Sequence, residues 1–553
     1  MSLQSLVRGD EAAEATKDLL AMSGAKGGVC ALLECGDGKL LTELTRDGKF
    51  LVHGITRDST TATAIRKRLA SGGLSGIGSV EVLPLDRLPY ADNLVNLLVA
   101  EEALTLLRNG LTPAEILRVL CPNGVACLSV TPDKRQNLES AMTNAGIRAF
   151  RFEQRSKLWL VIKKPRPVEM DDWTHSNHGP DGNPVSRDLL IQAPNQTQWL
   201  AGPSWRTSRR NVGPAAAQPY GMLSANGRNY YFQGGGLVAR DAFNGVLLWS
   251  QTLLPRYRTR QMVAAGDEVY LCREDGLVAL DGATGQLLRT YAGEAKVSQL
   301  LLDRGTLFAV DGRGIRAFDD DKGTERWKWD RRPSGVVADA GRLYFLAGRG
   351  QLVCLSQKDG SEIWKRDVSA DAGEKAGLSF ATHGIILLKS GAKEGTRFTI
   401  LSNADGAKAW AFTSNKAKAL AYLAAGLLWI ETDSKTPAEG HPAIRIQSEI
   451  ISKWMGHDPK TGTLRRTVVA PATVKYRCHP LYATDRFAIG NRPIYFVDWQ
   501  SGEVSCFEGT RAQCGSAYSL AQGMFYGLYT DSKKCMCMAR PSPARCRSRR
   551  ADD

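Results

Sequence analysis

The sequence predicts an α/β domain of Rossmann-like type followed by an all-β propeller of eight blades. Between residues 26 and 165, short apolar runs of strand length alternate with segments that have helical periodicity. From about residue 215 onward, a unit of about 40 residues recurs along the chain. A chain of 553 residues is long enough to contain both parts.

The α/β part is predicted from alternating strands and helices. Such a chain forms a parallel sheet with helices on both faces, and ligands bind at the carboxyl ends of its strands. The predicted strands are Gly28–Glu34, Phe50–Ile55, Val80–Leu83, Leu94–Val99 and Val125–Val130; the predicted helices are Thr60–Ala70 and Thr112–Leu120; Leu40, Leu41 and Leu44 have helical spacing; and Asn123-Gly124 is a predicted turn.

A glycine loop, Glu34-Cys35-Gly36-Asp37-Gly38, follows the first predicted strand. Gly36 and Gly38 allow the backbone to pass close to a ligand, and the helix N-terminus behind them favours a carboxylate. Any strand-to-helix corner also benefits from such a turn, so the loop alone does not establish a binding site. We interpret Cys35 as a small packing residue rather than a nucleophile.

The second part repeats a unit in which a strand ends in a polar residue, a glycine follows, and Trp or a substitute stands four positions later. Asp or Asn at the strand end caps the turn, and Gly supplies the positive φ that the turn requires. The Trp covers the seam between blades and buries on the order of 200 Å². The turn glycines are Gly245, Gly285, Gly323, Gly360, Gly406, Gly462 and Gly502, and the residues at the Trp position are Trp249, Arg289, Trp327, Trp364, Trp410, Arg466 and Cys506.

Seven copies of the unit predict eight blades when both ends of the region are combined. After Cys506 the chain continues as CGSAYSLAQGMFYGLYTDSKKCMCM, which predicts three more strands without a Trp strand. Upstream of the first copy, residues 196–200 predict a lone strand that carries Trp199. Together they would close the eighth blade and remove exposed sheet edges. Seven blades is the alternative. We expect weaker seams where Arg289, Arg466 or Cys506 replaces Trp.

The formal net charge of +15 is scattered along the chain rather than concentrated in one patch. We therefore predict a solvated basic surface and no nucleic-acid partner. The N-terminal residues contain no apolar stretch of signal-peptide length, and no run of 18 apolar residues predicts a membrane span. The densest basic residues lie in the tail, Arg540, Arg545, Arg547, Arg549 and Arg550, and a smaller group, Arg206, Arg209 and Arg210, is interpreted as a solvated loop.

Twelve cysteines occur without an adjacent pair or paired CxxC motifs. Disulfides, buried free thiols and a thiolate site all stay open for the late cysteines Cys478, Cys506, Cys514, Cys535 and Cys537.

Three histidines need an interpretation. His175 and His178 would chelate a metal if the segment after Asp171 and Asp172 were helical, but its irregular sequence favours a capping or turn role. We interpret His53, inside an apolar strand, as a hydrogen-bonded core histidine. No catalytic residue is assigned.

The order of landmarks over about 140 residues resembles the class I S-adenosylmethionine-dependent methyltransferases. The matching features are the ECGDG loop, the segment LPYADN before the fourth strand, and the helix–turn–strand that leads to Val125. The resemblance implies S-adenosylmethionine as cofactor, with its amino-acid end at the glycine loop. The implied cofactor-binding residues are Glu34, Cys35, Gly36, Asp37, Gly38, Thr56 and Asp86.

Three positions depart from that family's pattern. The acid at the end of the second strand is replaced by Thr56, with Asp58 two residues further on. The acid near the end of the third strand falls at Pro84, with Asp86 two residues away, and the Asp often found in the fourth strand is Asn96. These departures favour a degenerate domain over an active methyltransferase.

The repeat resembles the pyrroloquinoline-quinone (PQQ) type of propeller. Residues 20 to about 537 are similar to large bacterial envelope proteins with PQQ-like propellers, some of which carry the same N-terminal part. The segments that carry this match are Asp171–His175, Val238–Gly245 and Leu88–Asn96. The resemblance implies the periplasm or cell envelope. PQQ itself is disfavoured, because quinoprotein dehydrogenases use an adjacent cysteine pair that this sequence lacks.

The predicted organisation is a helical lead-in over residues 1–25, the methyltransferase-like domain over 26–165, a linker over 166–195, the propeller over 196–538 and a basic tail over 539–553. The first functional hypothesis is a binding or scaffolding protein that presents its propeller face to a protein or polymer. The second is an active methyltransferase whose propeller recruits the substrate. The third, a quinoprotein oxidoreductase, is the least favoured.

Overall fold

A computed structural model gives the fold of the chain. It describes residues 3–201, 220–233, 236–253, 261–273, 276–292, 297–373, 375–393, 395–434, 451–471, 482–491, 494–507 and 518–527. The chain divides into two compact units. The first comprises Met1–Val168, Gln198–Ala201 and Ala239–Ser250, and the second comprises Glu169–Thr197, Gly202–Val238 and Gln251–Asp553.

The first unit contains a seven-stranded sheet in the order β3-β2-β1-β4-β5-β7-β6. Its strands are parallel except β7, which runs antiparallel to both of its neighbours. The elements are α1 Leu3–Ser23, β1 Gly28–Leu33, α2 Lys39–Arg46, β2 Phe50–Thr56, α3 Ser59–Ser71, β3 Gly78–Val82, β4 Val95–Ala100, α4 Ala103–Arg108, α5 Pro113–Val119, β5 Leu120–Val130, α6 Arg135–Asn144, β6 Phe150–Gln154 and β7 Leu158–Lys163, with a 3-10 turn at Pro132–Lys134.

Helices cover both faces of this sheet. Ala31 and Leu33 of β1 contribute to a core with α4, α5 and α6. Cys30 and Leu32, which alternate with them, contribute to a second core with α1, α2 and α3. Because strand side chains alternate between faces, one apolar strand supplies both cores, which explains the near-continuous apolar run at the start of the domain.

The predicted turn at Asn123-Gly124 lies instead inside β5. Asn123 has a positive φ of 65°. The pairing of β5 with β4 shifts register between Val95 and Leu97. Asn123 and Gly124 lie opposite this shift and form a bulge in β5. A Cβ atom on Gly124 would lie 2.8 Å from the carbonyl oxygens of Cys121 and Val95. The Asn-Gly pair therefore relieves crowding in a continuous strand, a use of glycine that resembles a turn in sequence.

The described strands from residue 220 onward form a ring of antiparallel sheets, six of them four-stranded. The seventh sheet has five strands because β8, Val185–Ser186, joins its inner edge, and the eighth shows two strands in the described part of the chain. The strands are, blade by blade, β9 Tyr220–Ala225, β10 Arg228–Gln233, β11 Gly236–Asp241 and β12 Leu247–Thr252; β13 Met262–Ala265, β14 Glu268–Arg273, β15 Gly276–Asp281 and β16 Leu287–Tyr291; β17 Gln299–Asp303, β18 Thr306–Val310, β19 Ile315–Asp319 and β20 Glu325–Trp329; β21 Pro333–Asp339, β22 Arg342–Ala347, β23 Gln351–Ser356 and β24 Glu362–Asp367; β25 Gly377–Thr382, β26 Ile385–Ala392, β27 Gly395–Ser402 and β28 Lys408–Ser414; β29 Ala421–Ala424, β30 Leu427–Ser434, β31 Ile451–His457 and β32 Leu464–Pro471; β33 Ala483–Thr484, β34 Phe487–Asn491, β35 Ile494–Asp498 and β36 Val504–Phe507; and β37 Tyr518–Ala521 with β38 Met524–Gly527, with α7 Ser369–Ala372 between the fourth and fifth blades.

The first strand of each sheet lies innermost. β9 lies beside β13, β13 beside β17 and β17 beside β21, and β37 of the last sheet lies beside β9 of the first. The strands therefore form a closed β-propeller with eight blades, as the sequence predicts.

In three of the repeats, the Trp lies against the turn glycine of the next repeat. A Cβ atom added to Gly360, Gly406 or Gly462 would lie 2.6–2.8 Å from the indole of Trp327, Trp364 or Trp410, respectively. The indole Nε1 atoms of Trp327 and Trp410 each donate a hydrogen bond to the carbonyl three residues before that glycine, at 2.9 and 3.0 Å. All three glycines have φ between 72° and 76°. The repeat thus needs glycine both for its backbone conformation and for the room that the indole takes.

Trp199 makes the same pair of contacts with the first repeat. Its indole Nε1 donates to the carbonyl of Ala242 at 2.9 Å, three residues before Gly245. A Cβ atom on Gly245 would lie 2.4 Å from the indole. The expectation that residues 196–200 form a strand is wrong, because these residues have no strand conformation. Trp199 nevertheless occupies the Trp position of the repeat.

Two arginines at the Trp position donate to carbonyl groups of the next repeat's turn, Arg289 to the equivalent carbonyl and Arg466 chiefly to the one after it. Arg289 Nε donates to the carbonyl of Asp320 at 2.9 Å, and a terminal nitrogen of Arg466 donates to that of Gln500 at 2.6 Å. An arginine therefore replaces the hydrogen bond of the indole but not its apolar area, and weaker packing at these seams stays a prediction. The side chain of Cys506 lies outside the described residues.

Candidate functional site

The glycine loop lies at the carboxyl end of β1, where the sheet topology predicts a ligand. Glu34, Gly36 and Gly38 have φ values of 54°, 51° and 77°. A Cβ atom on Gly38 would lie 2.4 Å from Ile65 Cγ1, whereas a Cβ atom on Gly36 would meet nothing within 4 Å. Gly38 is thus required by α3 packing, and Gly36 is the position that leaves open space.

Both oxygens of the Glu34 carboxylate are engaged by residues at the carboxyl end of β2. Arg57 Nε lies 2.5 Å from Glu34 Oε1. Thr56 Oγ1 donates a hydrogen bond to Glu34 Oε2 at 3.2 Å. Glu34, which could accept hydrogen bonds from a ligand, is therefore paired with the protein's own cation.

The two other acids near the site serve different purposes. Asp58 caps the N-terminus of α3 and accepts from the backbone N–H groups of Thr60 and Thr61 at 3.2 and 2.8 Å. Its hydrogen bonds from Thr61 and Thr60 lower the pKa of its carboxyl. Asp86 is exposed in the connection between β3 and β4. The structure therefore gives Asp58 a capping role, and Asp86 has no described contact with the glycine loop.

Cys35 and Asp37 complete the loop. Cys35 is buried, and its Sγ lies within 3.6 Å of the carbonyl oxygens of Leu32 and Ile55. Burial and the nearby Glu34 raise the pKa of the Cys35 thiol to about 12, so the thiol stays protonated at neutral pH. Asp37 forms an exposed ion pair with Lys39 at 2.8 Å. Neither arrangement provides a nucleophile.

His53 is a hydrogen-bonded core histidine, as interpreted from the sequence. Its Nδ1 lies 2.8 Å from Tyr90 Oη, and the two rings meet edge to face. Its Nε2 lies 3.8 Å from Glu81 Oε2. Burial lowers the pKa of His53, and Glu81 acts in the opposite direction. The contact holds the LPYADN segment against β2.

Asn96 lies near the start of β4, away from the carboxyl ends that carry the glycine loop. Its Oδ1 accepts from the backbone N–H of Val29 at 2.8 Å and from Asn244 Nδ2 at 2.7 Å. Its Nδ2 donates to Asp241 Oδ2 at 2.7 Å. An aspartate at position 96 would place two carboxylates in contact, which explains why the amide fits here.

His175 and His178 are not helical and do not share a ligand. His175 is 4% exposed, and its Nε2 accepts from the backbone N–H of Leu302 at 3.0 Å. His178 Nε2 lies 2.6 Å from Asp171 Oδ2. The turn role predicted from the sequence is confirmed. Within the described ranges, no group of three His, Cys, Asp or Glu side chains is placed to hold a metal ion.

The segment around these histidines, Asp171–Asp188, contacts the innermost strand of each of the first seven blades and the turn after β37 in the eighth, and we call it the axial segment. The sequence predicts an irregular linker over residues 166–195, whereas Glu169–Thr197 lies in the second unit. Sequence reasoning missed this role, although Asp171–His175 is one of the stretches that carry the family resemblance. Its contacts with the first three blades are Trp173 with Ser224, Thr174 with Ala264 and His175 with Leu302; those with the next five are Pro180 with Ala338, Asp181 with Ala381, Asn183 with Leu423, Pro184 with Ala483 and Asp188 with Gly523.

The structure describes six cysteine thiols, which are buried and form no disulfide: Cys30, Cys35, Cys121, Cys127, Cys272 and Cys354. The cysteines Cys478, Cys514, Cys535 and Cys537, the arginines Arg206, Arg209 and Arg210, and the basic tail lie outside the described residues. No helix in the described part of the chain is long and apolar enough to cross a membrane.

Comparison with known proteins supports the propeller repeats. The family model described as outer membrane protein assembly factor BamB matches residues 233–336 and 312–474. No curated protein matches the sequence of this chain.

Several solved structures are similar at low identity. BamB from Moraxella catarrhalis is 16% identical with a TM-score of 0.33, covering 52% of this chain and 82% of that one. A europium-containing methanol dehydrogenase is 11% identical with a TM-score of 0.40, covering 63% and 87%. A protein provisionally assigned as an S-adenosyl-L-methionine-dependent methyltransferase, from Methanococcus maripaludis, is 14% identical with a TM-score of 0.26, covering 28% and 85%. By its sheet order and its matched repeats, the chain combines a methyltransferase-like α/β fold with a PQQ-like β-propeller.

Proposed function

We propose that this protein is a binding or scaffolding propeller whose methyltransferase-like domain does not transfer methyl groups. The observation that carries the proposal is the pairing of Glu34 with Arg57 at 2.5 Å, reinforced by the hydrogen bond from Thr56. The ribose hydroxyls of a methyl donor need hydrogen-bond acceptors, but Thr56 stands where an acid would accept them. The Asp58 carboxylate already accepts hydrogen bonds at the N-terminus of α3. The residues present do not fit S-adenosylmethionine at its ribose.

The propeller is the binding part of this proposal. The matched family model describes an outer membrane protein assembly factor. This description supports a protein partner on the propeller face and a place in the cell envelope. A quinoprotein function is disfavoured because the sequence contains no adjacent cysteine pair.

A second candidate function is methyl transfer with the propeller as the substrate-recruiting module. The open space beside Gly36 favours it, because a ligand could approach the backbone there. Methyl transfer requires alignment of donor and acceptor more than a general base, so the lack of an assigned base does not count against it.

Calorimetric titration of S-adenosylmethionine into the full-length protein separates the two functions. The scaffolding proposal predicts no binding heat at millimolar donor. Micromolar binding that Gly36→Arg abolishes would contradict the scaffolding proposal and favour the second function instead. The matched control is Gly48→Arg, since Gly48 also has a positive φ, 73°, and lies in open space away from the loop.

A further inference from the structure

The ends of the eight innermost strands form a ring of backbone groups, and the axial segment satisfies them in turn. The N–H groups of Ala264, Ala338 and Ala381 donate to the carbonyls of Thr174, Pro180 and Asp181 at 2.8–3.0 Å. An extended chain passing over strand ends in this way supplies the partners that buried backbone groups need. Without the segment, these N–H groups would lack their acceptors.

Side chains of the axial segment extend the pattern. Asn183 is 5% exposed and makes two bonds with Leu423: its Nδ2 donates to the carbonyl at 2.9 Å, and its Oδ1 accepts from the N–H at 3.2 Å. Asp188 is 1% exposed and accepts from the N–H of Gly523 at 2.8 Å. Buried polar side chains aimed at backbone groups give this contact a specific register.

One carboxylate joins the first blade to the last. Asp172 Oδ1 accepts from the backbone N–H of Asn226, which follows β9, at 3.2 Å. The same oxygen accepts from the side-chain amide of Gln522, which follows β37. The neighbouring Trp173 pairs with Ser224 of β9 through two backbone hydrogen bonds of 2.6 and 3.0 Å. Asp172 therefore connects the first and eighth blades where the ring closes.

We propose that the ends of the innermost strands are a binding site for an extended peptide, and that its ligand is residues 171–188 of this chain. The recognised chemistry is a run of backbone carbonyls and of imidazole, carboxylate or amide acceptors, one for each blade. Asp172 is the residue of that ligand which closes the ring between the first and eighth blades. The site is independent of the α/β domain and of whether that domain binds a methyl donor.

Cleavage of the full-length protein tests whether the segment is held as a ligand. Protease recognition sequences are inserted after Val168, which is 94% exposed, and between the exposed Asn195 and Gln196. After digestion we expect the released fragment to co-elute with the propeller in native buffer and to separate in denaturant. A fragment that separates in native buffer would overturn the proposal. The uncut protein is the control.

Variants of Asp172 test the closure role in the intact chain. Asp172→Ala removes the shared acceptor, and we expect the melting temperature to fall by roughly 5 °C, whereas Asp172→Asn keeps an oxygen acceptor and stays near the wild type. The control is Asp330→Ala, since Asp330 makes an exposed ion pair with Lys328. Melting of Asp172→Ala at the control's temperature would contradict the closure role.

Discussion

The indole of Trp199 donates a hydrogen bond to the carbonyl of Ala242 at 2.9 Å, the contact that Trp327 makes with Gln357 in the fourth blade. A residue that lies outside any strand thus completes the repeat. We expect Trp199→Ala to cost about 2 kcal/mol of unfolding free energy through lost indole burial. Urea unfolding measures this cost, with Trp327→Ala as the matched comparison. Deletion of residues 196–200 should destabilise the propeller further, and a deletion variant that unfolds like the wild type would refute this closing role.

Substitution of Gly360 tests whether the indole of Trp327 contributes to the requirement for glycine in the turn. A Cβ atom there would lie 2.7 Å from Trp327, and φ is 72°. We expect Gly360→Ala to cost about 3 kcal/mol, because it adds a clash to backbone strain. Gly341→Ala is the control, since φ is 79° there but nothing lies within 4 Å of the new Cβ. Its cost should be about 1 kcal/mol. Equal costs for the two variants would show that the indole contributes nothing to the glycine requirement.

The buried His175 predicts a pH dependence. Burial, with a smaller contribution from His178, lowers the pKa of His175 from 6.5 to about 3. Because the folded state holds the neutral imidazole, stability is full above pH 6.5 and is lost as the pH falls from there towards 3, by at most about 1.4 kcal/mol per pH unit. His175→Gln should flatten this dependence in urea unfolding measured at several pH values. An unchanged slope would mean that His175 titrates normally.

We predict that a negative charge at position 96 destabilises the first unit. Its amide donates to Asp241 at 2.7 Å. Asn96→Asp replaces a hydrogen bond with carboxylate repulsion, and we expect a cost of about 2 kcal/mol at pH 7. Asp241→Asn in the same chain should restore most of the stability, because the amide then lies on the other side of the bond. Failure of this rescue in the double-mutant cycle would locate the defect elsewhere.

The repeating parts of this fold are predictable from sequence because their causes are local. Turn glycines such as Gly360 and Gly462 require a positive φ, and each turn glycine is followed four positions later by Trp or a substitute. The axial segment has no such periodicity. Its polar residues contact groups far away in sequence, as Asp172 contacts the side-chain amide of Gln522, which is 350 positions away. No spacing rule in the segment itself reveals those partners.

The candidate site is likewise only partly predictable from the sequence. The loop from Glu34 to Gly38 is recognisable because a strand and a helix flank two glycines. The engagement of Glu34 by Arg57 is not, because it depends on how β1 and β2 align side by side. In the sequence, Asn96 stands where the family often has an acid. In the fold, its amide donates a hydrogen bond to Asp241, a contact that the sequence does not reveal.

The central claim is that Thr56 and Arg57, at the carboxyl end of β2, prevent the α/β domain from binding a methyl donor. The most direct measurement is parallel calorimetric titration of S-adenosylmethionine into the wild type and into a Thr56→Asp, Arg57→Ala double variant. The substitutions supply an acid for the ribose and remove the cation from Glu34. We predict no binding by the wild type at millimolar donor and measurable binding by the variant. Micromolar binding by the wild type would contradict the account.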